Sequence, residues 1–219
     1  MQKNPYAPDL KDLPQTLPIF PLADVLLLPR GNLPLNIFEP RYVAMIDDAL
    51  SSNRLIGMIQ PKDEKDKSDD RPIFDVGCAG KITEFIETPD GRYEITLSGV
   101  SRFRVAGALK SMTPYRQITP LWEEYQSDLK SKTCLNLNRE KLKGFLRAYF
   151  IKQGMDCDWQ AIDDADDGKL ITCLSMVCPF TACEKQALLE AKCCDARAEM
   201  FMSMLEMAAR NNCTAGHQH

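Results

Sequence analysis

Histidine is nearly absent from this sequence. Only His217 and His219 occur among 219 residues, both at the extreme C-terminus. That removes a Ser-His-Asp triad, a Cys-His dyad and the usual histidine-metal centres from the folded body. Long apolar runs are missing too, and no stretch approaches the length that crosses a bilayer. Residues 1–10 have no apolar core of a secretory signal. No Gly-x4-Gly-Lys-Ser/Thr phosphate loop is present: Ile82 follows Gly80-Lys81, and Asp75 stands where the first glycine is required. There is no Gly-x-Ser-x-Gly elbow and no Cys-x2-Cys pair. Basic excess is lacking as well. The net charge is −4, which argues against a nucleic-acid partner.

Cysteine is plentiful instead. Nine residues, an odd number, with no secretory leader point to free thiols in a reducing cytoplasm. Cys173, Cys178 and Cys183 are spaced by five, which spreads them around a helix axis, and Cys193-Cys194 point apart. They read as small hydrophobes, with a thiol or redox protein as the alternative. Asp163-Asp-Ala-Asp-Asp-Gly168 lacks two ligands of a calcium loop, so its carboxylates read as a helix start. No metal and no cofactor is expected.

Residues 1–16 are proline-rich and polar, an arm. Leu17 to Phe38 gives three short extended segments broken by Pro21, Pro29 and Pro34. Glu39-Pro40 opens a helix with Tyr42, Val43, Met45, Ile46 and Leu50 on its apolar face. Residues 54–60 read as a buried strand, and Pro61 to Pro72 as a charged solvent loop. Residues 92–98 alternate strictly, and Pro89-Asp90-Gly91 makes 81–87 their hairpin partner. Gly99 is expected to break that strand before 101–105 resumes it, and 115–122 gives a last strand. Many short strands with turns imply a strongly curved antiparallel sheet.

Residues 123–133 are polar and read as a linker. The period then changes to 3.6. Asn138 caps a helix bearing Leu142, Phe145, Leu146, Tyr149 and Phe150, and Gly154 ends it. A second helical run spans 170–177. Thr181-Ala-Cys-Glu184 is a capping box for a third, and Asp195 caps a fourth. That last helix is methionine-rich, and core packing is preferred over a sticky exposed face. The organisation expected is an arm (1–16), a β domain (17–122), a linker (123–133), a helical domain (134–211) and a tail (212–219).

Three stretches carry a family resemblance. They are Leu17-Pro-Ile-Phe-Pro through Ile37-Phe-Glu-Pro-Arg-Tyr42, Ile73 to Val105 with its Gly-Val-Ser-Arg-Phe-Arg-Val, and Glu184-Lys-Gln-Ala-Leu-Leu-Glu190. In order and spacing the chain resembles the N-terminal, substrate-binding domain family of Lon protease. The resemblance implies an α+β protein, with a PUA-like curved antiparallel β domain before an α-helical bundle. It also implies polypeptide recognition. With no ATPase or protease sequence in view, the chain reads as a stand-alone bacterial member: non-enzymatic, cytoplasmic and adaptor-like in protein quality control.

The partner expected is an unfolded or extended polypeptide, or one specific protein, rather than a membrane. Leu35, Ile37, Phe38, Tyr42 and Met58 are the candidate contacts. Glu39 and Arg41 form either a rim or a local ion pair that locks the turn. The alternative is an RNA-binding PUA-like module using Arg102, Arg104 and Arg116.

Overall fold

The computed structural model describes residues 9–130, apart from 64, 67, 69 and 111, and residues 137–210. These fall into two compact units, within Met1–Lys132 plus Met176–Glu190 and within Thr133–Ser175 plus Ala191–His219. The tail with both histidines, and Cys134 and Cys213, lie outside the described residues.

Six strands build the first unit: β1 (Leu17–Pro21), β2 (Asn32–Ile37), β3 (Leu55–Ile59), β4 (Val76–Glu87), β5 (Tyr93–Leu109) and β6 (Gln117–Leu121). Their order is β2-β5-β4-β3-β1-β6, and β6 also pairs with β5. Five strands therefore close a ring, β1-β3-β4-β5-β6, and closure removes their edges. All pairs are antiparallel except β1–β3, which is parallel. A parallel pair needs a long crossover; here β2 and the helix α1 (Pro40–Leu50) lie between the two strands in sequence.

Inside the ring, Leu17, Ile19, Leu55, Ile59, Ala79, Phe103, Ile118 and Trp122 form one apolar cluster. The Trp122 indole donates to the Pro14 carbonyl at 3.0 Å, so burying the ring leaves no orphan N–H. The described part of the arm thus takes part in the core, and Leu13 is buried with it.

The expected three extended segments between Leu17 and Phe38 are two. The middle run is a loop that buries Leu26, Leu27 and Leu28. Nor does Gly99 break its strand. β5 runs on to Leu109, and the ladder slips between Ala79/Gly80 instead. Gly99 is glycine because the buried loop lies against it: a Cβ there would sit 2.0 Å from the Leu28 carbonyl oxygen. A β-bulge absorbs the extra residue, and both strands continue.

Helix α1 starts as the sequence predicts, with Pro40 at its first position and Tyr42, Met45, Ile46 and Ala49 buried. Two tyrosines fasten it: Tyr93 donates to Asp47 at 2.9 Å and Tyr115 to Asp48 at 2.6 Å. Burial, then the Asp48 bond, push the Tyr115 phenol up to about 12. Its folded value lies above the ordinary one, so this stabilisation is whole below pH ~10 and fades as pH rises towards 12. Tyr115→Phe is expected to lower stability at neutral pH by about 1 kcal/mol. Denaturant midpoints compared at pH 7 and 11.5 should converge for the two proteins; a constant gap would show that the phenol titration is not involved.

Residues 123–133 were expected to be a linker. Glu123–Leu129 is instead a pair of short 3-10 turns meeting at a kink at Tyr125, and its Asp128 grips Arg102. The helix α5 (Ala182–Glu190), expected within the helical domain, groups with the first unit. Its Lys185 donates to the Asp24 carbonyl, with burial pushing the ammonium pKa down. Its Gln186 donates to the Val76 carbonyl at 3.1 Å and accepts from Gln60 at 3.1 Å. The Thr181/Glu184 capping box forms, Glu184 accepting from the Thr181 N–H at 2.8 Å.

The second unit holds α2 (Arg139–Gln153), α3 (Trp159–Asp164), the larger part of α4 (Asp167–Val177) and α6 (Cys194–Arg210). Asn138 caps α2 by accepting from the Lys141 N–H, and Gly154 ends it at φ 64°. Of the Asp163–Asp167 run, Asp166 caps α4 by accepting from the Lys169 N–H at 2.8 Å, whereas Asp163 pairs with Lys143 and Asp167 with Arg139. Helix α3 went unrecognised in the sequence, because six residues give too little periodicity. Asp195 lies inside α6, which begins at Cys194. On α6, Ala198, Phe201, Met204 and Leu205 are buried, and Met207 is exposed. No helix among the described residues is long and apolar enough to cross a membrane.

Candidate functional site

β2 stands outside the closed ring and, among the described residues, pairs only with β5, from Asn32↔Ser98 to Ile37↔Tyr93. Its phase follows from one bond beyond the ladder's end: the Gly99 N–H donates to the Gly31 carbonyl at 2.8 Å. Alternation then turns the main-chain groups of Leu33, Leu35 and Ile37 towards β5, and those of Asn32, Pro34 and Asn36 away. Pro34, which has no N–H, sits where its donor would have faced outward, the position an edge strand tolerates. The free edge thus offers two N–H groups, from Asn32 and Asn36, and three carbonyls.

The two faces of this half-sheet differ. Ile37, Ile95 and Leu97 are buried on the face that α1 covers. The opposite face carries Pro34 and Asn36 of β2, Glu94 and Thr96 of β5, and Glu84 and Ile86 of β4. Together these line an open groove of about 370 Å³. Ile86 is 60% exposed. The Glu84 carboxylate accepts from the Thr96 hydroxyl at 2.7 Å, and among the described residues neither Glu84 nor Glu94 forms an ion pair.

Of the five candidate contacts, the structure leaves two reachable. Phe38 is 64% exposed directly after β2, and Leu35 is half-buried on it. Ile37, Tyr42 and Met58 are core residues, each 5% exposed or less. Glu39 and Arg41 form an ion pair at 2.9 Å. The Arg41 guanidinium lies 4.7 Å over the Tyr42 ring, and that ring packs 4.2 Å from Phe20. This cluster holds the β2–α1 turn in shape.

Of the alternative basic patch, Arg102 is buried while Arg104 and Arg116 are part-exposed. Arg102 is 2% exposed. It donates to Asp128 through Nε at 2.8 Å and Nη2 at 2.9 Å, and to the Leu189 carbonyl at 3.0 Å. It also lies 4.6 Å over the Tyr125 ring. Burial opposes its charge, and Asp128 outweighs burial, so its pKa stays above the ordinary value. Arg104 is taken by Glu124 at 2.9 and 3.0 Å, and Arg116 donates to the Arg71 carbonyl at 2.8 Å. The cations that a phosphate backbone would need are neutralised or spent on main chain. Sequence reading missed the pairing because Asp128 lies 26 residues away in a segment that looks like a linker.

Sequence reading also missed Glu84, Ile86 and Glu94. A signal was there: Phe85 and Ile86 are adjacent in a strand, and adjacent strand residues face opposite sides. One large apolar side chain had to point outward.

Residues 16–207 match the family model of the ATP-dependent protease La (LON) substrate-binding domain. Lon protease of Desulfosudis oleivorans is 35% identical over 105 residues, which cover 47% of this chain and 13% of that protease. Lon protease of Buchnera aphidicola is 23% identical over 202 residues, 87% of this chain and 25% of its own length. The chain therefore spans a minor part of these relatives. In fold it is similar to a Lon N-terminal domain protein from Xanthomonas campestris, with TM-score 0.61 and 21% identity over 86% of this chain and 97% of that one. The N-terminal domain of Mycobacterium avium complex Lon protease gives TM-score 0.59 and 15% identity, over 90% and 98% of the two chains.

Proposed function

The chain belongs to the Lon substrate-binding domain family, and from that premise we propose that it binds polypeptide segments in extended form along β2. The observation that carries this reading is the open edge of β2, with Phe38 exposed at its end and Leu35 half-buried along it. An antiparallel strand laid there gains five main-chain hydrogen bonds, one fewer than a proline-free edge of equal length would give. Main-chain bonds are blind to sequence, so they suit varied clients, and the apolar side chains add affinity. Pro34 also discourages indiscriminate sheet growth.

The groups gathered here hold and orient an extended segment. We propose a non-enzymatic, adaptor-like role in protein quality control, in the cytoplasm.

Fluorescence anisotropy with a labelled, permanently unfolded protein tests the reading, with its folded parent as control. Binding confined to the unfolded form is expected, and Leu35→Ser with Phe38→Ser should weaken it about tenfold, near 1.4 kcal/mol, in keeping with lost apolar burial. Equal binding of folded and unfolded probes, or a double variant that binds like the parent, would overturn it.

A further inference from the structure

We infer that the groove on the outer face of β2, β5 and β4 selects cationic polypeptide segments, so that the chain's clients carry lysine or arginine between apolar residues. This inference rests on the strand-addition reading above. A strand beside β2 lies about 10 Å from β5, two strand spacings away. That distance is within the combined reach of Glu94 and a client lysine or arginine across the narrow floor of Pro34 and Asn36. Glu84 lies one strand further. Its carboxylate is held towards β5 by the Thr96 hydroxyl, 2.7 Å away, so it adds to the negative field over the same groove. Ile86, 60% exposed between the two carboxylates, gives the aliphatic stem of a lysine or arginine an apolar surface.

Charge complementarity also argues against the other occupants. A second copy of this chain would bring its own Glu84 and Glu94 alongside the first pair, within a molecule of net charge −4. Nucleic acid would meet carboxylates where it needs cations. An acidic client segment would face the same repulsion.

The test uses three labelled heptapeptides in anisotropy titrations with the full chain: Ser-Leu-Lys-Leu-Lys-Leu-Ser and its counterparts with serine or glutamate in place of lysine. At low salt the lysine peptide is expected to bind at least tenfold tighter than the serine peptide, and the glutamate peptide weakest. The preference should shrink at high salt. Glu84→Gln with Glu94→Gln, both on an exposed face, should bring the lysine-to-serine ratio close to one, with folding checked by circular dichroism. Serine and lysine peptides binding equally to the parent would overturn the charge selection and leave strand addition standing. A folded double variant that keeps the preference would do the same. No binding by any of the three would overturn both.

Discussion

Asp128→Ala is expected to destabilise the first unit by about 3–5 kcal/mol, the range seen when one partner of a buried ion pair is removed. The Arg102 side chain is 2% exposed and that of Asp128 is 9% exposed. Removing the carboxylate takes away the counter-charge of a buried guanidinium, which keeps its contacts with the Leu189 carbonyl and the Tyr125 ring. The Arg102 backbone N–H loses an acceptor as well, since it donates to Asp128 at 3.1 Å. Replacing both partners, Arg102→Met with Asp128→Leu, should be far milder, because nothing charged is then buried alone. Urea unfolding of the two single variants and the double variant measures this directly. Single variants that each lose less than 1 kcal/mol would mean the pair is solvated in solution.

Gly99→Ala is the second large effect. The new methyl carbon would lie 2.0 Å from the Leu28 oxygen and 2.8 Å from its carbonyl carbon. Both are main-chain atoms, so no rotamer change relieves the clash. The loop cannot easily retreat, since the Arg30 N–H donates to the Gly99 carbonyl at 2.7 Å and the Gly99 N–H to Gly31 at 2.8 Å. A loss of about 3 kcal/mol or more is expected, at the upper end for overpacking. Gly107→Ala on the same strand is the control. Nothing lies within 4 Å of its would-be Cβ, so its effect should stay within about 0.5 kcal/mol. A stable Gly99→Ala protein would show that the loop at Leu28 yields.

How much of this was written in the sequence depends on the range of the interaction. The α1 start at Pro40, the β4–β5 hairpin, the Asn138 cap and the Thr181/Glu184 box were legible, because each is decided within a few residues. The position of β2 outside the ring was not. Strand order depends on pairings such as Leu35↔Ile95, across 60 residues of chain, and the prolines said only that β2 could be an edge. Of the candidate contacts, chosen for apolar character, Phe38 is exposed and Leu35 half-buried, while the same character drew in Ile37, Tyr42 and Met58, which are core. Apolarity marks core and contact surface alike. Arg102 misled for the opposite reason: a charged residue on a strand reads as solvated until its partner is seen.

The membership of α5 in the first unit bears on how the molecule is made. Asp24 waits for Lys185 across 161 residues, Gln60 for Gln186 across 126, and Arg102 for the Leu189 carbonyl across 87. Contacts this distant are slow to form. On the ribosome, the strands emerge well before the helix that completes their hydrogen bonding. At about 5–20 residues per second, the interval between residue 130 and residue 190 lasts several seconds. During that interval the nascent barrel holds a guanidinium without its Leu189 acceptor, and Gln60 and the Val76 carbonyl without Gln186. A gene fragment cut after residue 130 would fix the protein permanently in that unfinished condition, so any excised barrel has to carry residues 176–190 with it.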